Sequence, residues 1–173
     1  VKILGIMEDL IPGTLLVANH QSYLDIPVVG SLFSVVFVAK SEVRRWPLFG
    51  TLARLGGTLF VRRSSAASSG GTMQTVRELL SVGRTVLVFP EGTSTGATGV
   101  LPFRPLLFQA AAEERRPILP LCIRYETVDG SRLSYQNRDV VCWYGGMDFL
   151  PHLWHLLAHS GIVVSVTFNS TIH

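Results

Sequence analysis

Short apolar runs rich in β-branched and aromatic residues recur along this chain and alternate with segments of helical spacing. A nearly continuous apolar run is typical of a strand that is covered on both faces. The strand-like runs are Thr14 to Ala18, Val35 to Ala39, Thr58 to Val61, Thr85 to Phe89, Ile118 to Tyr125, Val140 to Tyr144 and Ile162 to Phe168. The helical segments are Thr72 to Val82, Leu106 to Glu114 and Leu150 to His159. This alternation predicts an α/β domain with a mixed, mostly parallel central sheet of about seven strands and helices on both faces.

Length, hydropathy and charge limit what such a domain can do. A chain of 173 residues can build one core without disulfides or metals, so we expect residues 1–173 to form a single domain. Apolar residues make up 47% of the chain and the mean hydropathy is +0.37, which indicates contact with lipid. The uncharged stretch Ile26 to Ala39 is too short to cross a bilayer. A net charge of +3 suits anionic headgroups or phosphate esters, whereas the interleaved basic and aromatic runs of nucleic-acid-binding proteins are absent from the sequence.

Two local patterns add smaller expectations. Cys122 and Cys142 lie in apolar strand-like runs without a CxxC neighbour, which predicts buried thiols in a reducing compartment. The segment Ser64 to Gly71 is small and polar, and it predicts a surface loop that leads into the helix near Thr72.

The motif VANHQSYLD follows the first apolar strand directly. Because ligands bind at the carboxyl ends of strands in open α/β sheets, Asn19 and His20 are candidate site residues. Asp25 lies five residues after His20, and the two side chains can meet only if His20 is in the loop and Asp25 in the first turn of the next helix. Asp25 would then fix the tautomer of His20 and leave its other nitrogen as a base. Taken alone, the pair is also compatible with helix capping.

Three later motifs offer groups that suit a polar or anionic ligand. The motif GGTLFVRR ends in Arg62 and Arg63, and arginine pairs well with phosphate oxygens. The motif VLVFPEGTSTG places Glu91 and the turn that follows it after a buried strand, where the carboxylate could pair with Arg63 or with a substrate hydroxyl. In RRPILPLCIRY, Pro120 predicts a bulge or a strand start beside the site.

Together, in this order and spacing, the four motifs resemble the signature of the glycerolipid acyltransferase family, whose best-known members are 1-acylglycerol-3-phosphate acyltransferases. The family pattern consists of NHxSxxD, a Gly-x-hydrophobic-Phe-hydrophobic-x-Arg motif, Phe-Pro-Glu-Gly-Thr, and a hydrophobic-Pro-hydrophobic motif. The likeness spans about Leu15 to Tyr125 of this sequence. The family usually carries apolar N-terminal docking helices, whereas this chain starts just upstream of the first motif. We therefore expect it to be a segment that lacks these helices. It also ends soon after the last predicted strand, which leaves open that a C-terminal helix is missing.

The resemblance also assigns roles to residues of this chain. It implies that His20 and Asp25 form the catalytic pair. By the same likeness the acceptor and its phosphate are bound by a second set: Gly57, Arg63, Glu91, Gly92, Thr93 and Lys40. Residues of secondary weight are Asn19, Ser22, Arg62 and Pro120.

The activity implied by the resemblance is transfer of a fatty acyl group onto the hydroxyl of a lysophospholipid. The donor would be acyl-CoA or acyl-acyl carrier protein as co-substrate, with no other cofactor and no metal. The expected acceptor is 1-acylglycerol-3-phosphate, with another lysophospholipid or a lyso-ornithine lipid as alternatives. The protein would act at the cytoplasmic face of a membrane as a peripheral or monotopic enzyme. The sequence lacks a GxSxG motif, which fits direct transfer without an acyl-enzyme.

Two alternatives from other classes remain open at this point. One is a non-catalytic lipid-binding module with the same fold, against which the intact His20, Asp25, Arg63 and Glu91 argue. The other is a metal enzyme built on histidines of one predicted helix, which would share a face at positions i, i+3 and i+7. These histidines are His152, His155 and His159.

Overall fold

The computed structural model of the protein describes residues 2–4, 10–45, 50–51, 54, 57–61 and 66–173. Its strands are β1 (Lys2–Leu4), β2 (Leu15–Ala18), β3 (Val36–Lys40), β4 (Leu59–Val61), β5 (Val86–Val88), β6 (Ile118–Val128), β7 (Ser131–Arg132) and β8 (Ile162–Phe168). Its α-helices are α1 (Asp25–Gly30), α2 (Ala66–Ser81), α3 (Leu106–Glu113) and α4 (Phe149–Leu156). Short 3-10 helices span Ser41–Arg45 and Arg138–Val140.

The strands form one sheet in the order β1-β8-β6-β2-β5-β3-β4, and β7 pairs with β6 as a hairpin. All described neighbours are parallel except β6 with β8 and β6 with β7. This confirms the predicted mixed, mostly parallel sheet. Strand β2 is central, because β5 and β6 hydrogen-bond to its two sides. Its carboxyl end therefore opens between two neighbouring strands.

Helices cover both faces of the sheet, as the apolar runs predict. Leu16 and Ala18 of β2 belong to a core on the same face as Val29 of α1. The alternate residues Leu15 and Val17 belong to a second core, which they share with side chains of α2 and α3, namely Val76, Leu80, Ala110 and Ala111. Leu15 and Leu16 are fully buried, and each contributes about 1.5–3 kcal/mol relative to an exposed side chain. Strand β2 is thus held rigidly from both sides up to the loop that carries His20.

Two of the predicted elements are wrong. The run Val140 to Tyr144 is not a strand, because the amides of Val141 and Cys142 both donate to the carbonyl of Arg138 and close a turn. The run is apolar because it packs against the rest of the domain, and periodicity alone cannot separate such a buried turn from a strand. In the predicted loop at Ser64 to Gly71, residues 66–71 belong to α2. Helix propagation adds one hydrogen bond for each residue fixed, and this outweighs the weak helix propensity of serine and glycine.

The last helix is shorter than predicted. Helix α4 ends at Leu156, after which Ala158 and His159 donate to carbonyls three residues earlier. Such bonds tighten the end of a helix and terminate it. His159 therefore lies beyond α4 and not on a shared face with His152 and His155.

Pro120 lies inside the central strand β6, beside Val17 of β2, and not at a bulge or a strand start. The register shift of β6 is between Tyr125 and Thr127. The proline is tolerated because its carbonyl accepts from Asn169, just beyond the end of β8. In a strand the nitrogen and the carbonyl of one residue face the same side, so the nitrogen of Pro120 also faces the segment that follows β8. Because β8 has already ended there, the N–H that proline lacks is not needed for pairing with β8.

The two cysteines have different environments. Cys142 is fully buried, and burial raises its pKa to about 11, with the charge of Asp25 as a second cause. Cys122 is exposed, because it alternates along β6 with the core residues Leu121 and Ile123. The prediction of a buried thiol is therefore correct only for Cys142.

Among the helices that the structure describes, none combines the length and the apolar character that crossing a membrane requires.

Candidate active site

His20 and Asp25 meet at the carboxyl end of β2. The strand ends at Ala18, His20 lies in the loop that follows, and Asp25 is the first residue of α1. This is the arrangement that a five-residue spacing requires. The Nδ1 atom of His20 lies 2.8 Å from Oδ2 of Asp25, within hydrogen-bond distance. The His20 side chain is 21% exposed and that of Asp25 is fully buried, so solutes can reach only the imidazole.

Hydrogen bonds from four groups converge on the Asp25 carboxylate. Its Oδ2 atom faces His20 and also accepts the backbone amides of Gln21 at 2.7 Å and Ser22 at 3.0 Å. Its Oδ1 atom accepts the hydroxyl of Tyr125 at 2.6 Å. Hydrogen bonds to the charged form of a carboxyl group favour that form, and they offset the cost of burying it. An ionised Asp25 accepts only, so Nδ1 of His20 carries the proton and Nε2 is left as the acceptor.

The His20 backbone and ring are held by the segment that follows β5. The His20 amide donates to Oε1 of Glu91 at 2.8 Å, and the His20 carbonyl accepts the amide of Thr95 at 2.9 Å. The imidazole stacks on the Phe89 ring, with the centroids 4.0 Å apart and the planes inclined by 14°. The loop after β2 and the loop after β5 are thereby joined at His20, which fixes the position of its ring.

Glu91 acts on the backbone of both loops. It is 4% exposed, and its second oxygen, Oε2, accepts the amide of Leu101 at 2.9 Å. The two carboxylate oxygens thus hold the His20 loop and the far end of the loop that Glu91 begins. The sequence suggested a pairing with Arg63 or with a substrate hydroxyl. Arg62 and Arg63 lie outside the described residues, so their contacts stay a prediction.

Gly92 and Thr93 follow Glu91 in a tight turn. Gly92 has φ of +76°, and a Cβ there would come within 2.9 Å of the Arg104 guanidinium. The left-handed backbone conformation favours glycine, whereas the exposed Arg104 guanidinium ends a flexible side chain that could move aside. The Gly92 amide donates to the Phe89 carbonyl, whereas Thr93 is exposed. The approach of Arg104 brings an exposed cation to the FPEGT turn.

Asn19 and Ser22 stabilise the loop between β2 and α1. The Asn19 side chain accepts the amide of Ile123 at 2.8 Å and donates to its carbonyl at 2.9 Å, so it extends the pairing of β2 with β6 by a side chain. Ser22 is fully buried, and its hydroxyl accepts the amide of Leu24 at 3.3 Å. Both residues position the loop through backbone groups.

Gly57, Lys40 and Pro120 lie on or next to strands other than β2. Gly57 precedes β4 in a turn, is exposed and has φ of +70°. Lys40 is the last residue of β3, where its backbone pairs with Val61 of β4. Both lie on the β3–β4 side of the sheet, which β5 separates from β2. Pro120 is on the opposite side, in β6.

The histidines of the alternative metal-enzyme hypothesis make unrelated contacts. His152 contacts the hydroxyl of Tyr23 at 2.9 Å and the carbonyl of Cys142 at 3.2 Å, and burial lowers its pKa. His159 contacts Asp129 at 2.8 Å, at a turn beyond α4. Within the described part of the chain, no three potential ligands among histidine, cysteine, aspartate and glutamate are grouped closely enough to bind a metal ion.

A cavity of about 650 Å³ lies next to the His20 loop, where Asn19 and Gln21 contribute to its wall. Its other walls come from the loop of residues 97–103, from β6 and from residues 132–138. Apolar side chains such as Val100 and Phe103 line it together with Arg124. The cavity has room for an elongated apolar group beside the His20 loop.

Tyr125 and Phe89 contact the His20–Asp25 pair, although the motifs did not assign either residue to the site. A signal for Tyr125 is present in the sequence: it continues the alternation of Leu121 and Ile123 towards the core, and a buried tyrosine hydroxyl needs a partner. Which partner it finds depends on β6 extending beyond the end of β2, and this is a property of the sheet. Phe89 contacts His20 because β2 and β5 are neighbours.

The fold and the geometry define an α/β domain with a buried carboxylate behind a reachable imidazole at the carboxyl edge of a parallel sheet. The family model described as Acyltransferase matches residues 7–124 of the sequence. The chain belongs to this acyltransferase family, which confirms the resemblance drawn from the four motifs.

Curated relatives extend over most of the chain. The sequence is 36% identical over 165 residues to a lyso-ornithine lipid O-acyltransferase of Rhizobium meliloti, which covers 91% of this chain and 56% of the relative. It is 30% identical over 156 residues to a 1-acyl-sn-glycerol-3-phosphate acyltransferase of Neisseria gonorrhoeae, which covers 90% of this chain and 59% of the relative. The chain therefore spans less than two thirds of the length of these relatives.

A solved structure has the same fold. The crystal structure of the 1-acyl-sn-glycerophosphate (LPA) acyltransferase PlsC from Thermotoga maritima matches with a TM-score of 0.61 and 23% sequence identity. The match covers 99% of this chain and 60% of that one. The agreement supports the arrangement of sheet and helices described above.

Proposed function

We propose that this protein transfers a fatty acyl group from an acyl thioester to the hydroxyl of a lysolipid, with His20 as the general base. The observation that carries the proposal is the 2.8 Å contact between Nδ1 of His20 and the buried, fully hydrogen-bonded carboxylate of Asp25. A neutral imidazole that is fixed at Nδ1 presents Nε2 as a base, and a base in position contributes about 10²–10⁴ to a rate.

In the proposed reaction, Nε2 of His20 takes the proton of the acceptor hydroxyl. The oxygen attacks the thioester carbonyl carbon, the new ester bond forms and the carbon–sulfur bond breaks. The departing thiolate receives the proton from Nε2, which returns His20 to its neutral form. Asp25 does not exchange a proton; it stabilises the imidazolium that exists between the two transfers and keeps the ring in position.

The acceptor would be bound by cations and turn residues around this base. We assign the phosphate of 1-acylglycerol-3-phosphate to Arg63 and Lys40, with Gly57, Gly92 and Thr93 shaping the approach. Arg104 adds a cation close to Gly92. Glu91 supports the site through the backbone of His20. A selective rise of the acceptor KM in Arg63→Ala, at an unchanged donor KM, tests the assignment of Arg63.

A lyso-ornithine lipid is a second candidate acceptor. Relatives bearing that name are 36% identical to this chain in Rhizobium meliloti and 39% identical in Pseudomonas aeruginosa. Both acceptors present a hydroxyl and an apolar chain, and the cavity beside Asn19 has the apolar wall that such a chain needs. The two acceptors differ in the headgroup. We therefore expect Arg63, Lys40 and Arg104 to determine which of the two is bound.

The reaction would take place at the cytoplasmic face of a membrane, with the protein bound peripherally or monotopically. The exposed side chains of Leu150, Trp154 and Leu157 support contact with lipid, because they lie at helical spacing on and just after α4 and tryptophan favours the membrane–water interface. Sedimentation with phospholipid vesicles measures this contact. A protein that stays entirely in the supernatant would exclude it.

A thiol-release assay tests the proposed function. Acyl-CoA and acyl-acyl carrier protein are offered as donors with three acceptors in separate reactions: 1-acylglycerol-3-phosphate, another lysophospholipid and a lyso-ornithine lipid. Free thiol is measured together with the acylated lipid, so that hydrolysis of the thioester is told apart from transfer. We expect thiol and acylated lipid in equal amounts with at least one acceptor.

The same assay separates the competing functions. A lipid-binding module without catalytic activity would bind the acceptor and release no thiol from either donor. Release of thiol without acylated lipid would identify a thioesterase. Either result would contradict the proposed function.

A further inference from the structure

Tyr125 reaches the His20–Asp25 pair from a distant part of the chain. It lies on β6, which extends beyond the end of β2, and its side chain is 4% exposed. Its hydroxyl donates to Oδ1 of Asp25 at 2.6 Å across a separation of 100 residues. The contact depends on the pairing of β6 with β2, so it is made only when the sheet is assembled.

The two oxygens of Asp25 have different partners. Oδ2 faces Nδ1 of His20 and accepts the amides of Gln21 and Ser22, all of which belong to the same loop. Oδ1 accepts the hydroxyl of Tyr125. The carboxylate is therefore held at both ends, and rotation about its χ2 angle would break the contact with Tyr125 together with that to His20.

Three titratable groups close to this contact, Tyr125, Tyr23 and Cys142, stay neutral near neutral pH. Burial raises the pKa of Tyr125 well above its usual value, with the charge of Asp25 as the next cause, so the hydroxyl stays a donor. Burial raises the pKa of Tyr23 to about 12 and that of Cys142 to about 11, and both stay neutral. Arg138 and Asp139 act on Cys142 with opposite effects. Glu91 contacts His20 only through its backbone amide.

We infer that Tyr125 is a positioning residue that sets both the orientation of Asp25 and the proton affinity of His20. The inference rests on the proposed function of His20 as the base. The hydroxyl takes up part of the charge of Oδ1, which leaves less negative charge to attract a proton to the imidazole. Without this hydrogen bond, we expect the His20–Asp25 pair to bind its extra proton at a higher pH. Without the Tyr125 hydroxyl, Oδ1 of Asp25 would be buried without a hydrogen-bond donor, and this favours rotation of the carboxylate towards other donors.

The test is an NMR titration of the histidine rings in the wild type, Tyr125→Phe and Tyr23→Phe. This readout requires no substrate, so it is independent of the proposed activity. We expect the midpoint of His20 in Tyr125→Phe to rise by about one pH unit, which corresponds to the loss of one hydrogen bond to a charged group. Tyr23→Phe is the matched control, because it also removes one buried tyrosine hydroxyl, which contacts His152. Its His20 midpoint should stay at the wild-type value.

Steady-state kinetics provide the second readout. In Tyr125→Phe we expect kcat to fall about 5- to 100-fold at the pH optimum, because the misplaced carboxylate no longer holds the base. The KM values should change little, because the variant keeps the ring that Tyr125 contributes to the wall of the cavity and loses only the hydroxyl, which points to Asp25. The acidic limb of the pH profile should move upward together with the NMR midpoint.

If Tyr125→Phe does not fold, 3-fluorotyrosine at the same position replaces it. Fluorine makes the phenol a stronger donor, so the His20 midpoint should then fall below that of the wild type. An unchanged midpoint in the Tyr125 variant, or an equal shift in Tyr23→Phe, would overturn the inference and leave Tyr125 with a role in stability alone. A shifted midpoint in a protein without transferase activity would retain the positioning role and reject the proposed function.

Discussion

Two histidine–aspartate pairs of this protein share one geometry and differ in their burial and in their place in the fold. His20 and Asp25 are joined at 2.8 Å through Nδ1 and Oδ2, and so are His159 and Asp129. Each carboxylate also accepts further hydrogen bonds; those of Asp129 come from the amides of Ser160 and Gly161 and from the Ser160 hydroxyl. Distance and number of hydrogen bonds therefore do not distinguish the two pairs.

Their places in the fold do distinguish them. Asp25 is fully buried at the carboxyl edge of a parallel sheet, whereas the side chain of Asp129 is 39% exposed at the tip of the β6–β7 hairpin. Asp129 has φ of +49° and precedes a glycine, as in a two-residue hairpin turn. Water reaches the pair at the turn, whereas the Asp25 carboxylate is fully buried and shielded from bulk water. The same contact forms a candidate catalytic pair at His20 and Asp25, whereas at His159 and Asp129 it stabilises a surface turn.

The largest effect expected from this comparison is on activity. His20→Ala should lower kcat by about 10²–10⁴ or more, because it removes the base. His159→Ala, which breaks the other pair, should keep kcat within about twofold of the wild type. Thiol release under saturating substrates measures both variants, and circular dichroism verifies that each is folded. If the two variants lost activity equally, the assignment of the base to His20 would be wrong.

A smaller effect is expected from the ring beneath the base. Phe89→Leu keeps an apolar side chain but removes the aromatic face on which His20 stacks at 4.0 Å. A contact of this kind contributes about 0.5–1.5 kcal/mol, so we expect kcat to fall about 2- to 10-fold. Phe33→Leu is the matched control, because Phe33 packs edge-on against Phe168 and not against His20. An equal loss of activity in both variants would point to a general loss of packing.

The sequence predicts the fold and the centre of the site for physical reasons that are local. Apolar runs such as Leu15 to Ala18 must be covered on both faces, and the five-residue spacing leaves His20 and Asp25 one way to meet. What it does not predict is non-local. The bond from Tyr125 to Asp25 and the packing of Phe89 under His20 depend on the strand order β6-β2-β5. The turn at Cys142 could not be told from a strand, because burial gives both the same apolar composition.

The smallest effect concerns the stability of the exposed pair and its dependence on pH. The hydrogen bond with His159 lowers the pKa of Asp129 well below its usual range, and those with Ser160 and Gly161 lower it further. A carboxyl group whose pKa is lowered by folding stabilises the protein above its unfolded pKa of about 4, and this contribution is lost as the pH falls through the folded value. Asp129→Asn should therefore lower the Tm at pH 7, by less than a core substitution would, and leave kcat unchanged.

The difference in Tm between the wild type and Asp129→Asn should shrink as the pH falls below about 4. Differential scanning calorimetry at several pH values measures it, with Asp148→Asn as the control, since Asp148 precedes α4 without a capping hydrogen bond from its side chain. A difference that stayed constant down to pH 3 would mean that the turn is held by its backbone geometry and not by the ionised carboxylate. The pair at the turn would then differ from the buried pair in kind, because only Asp25 would act through its charge.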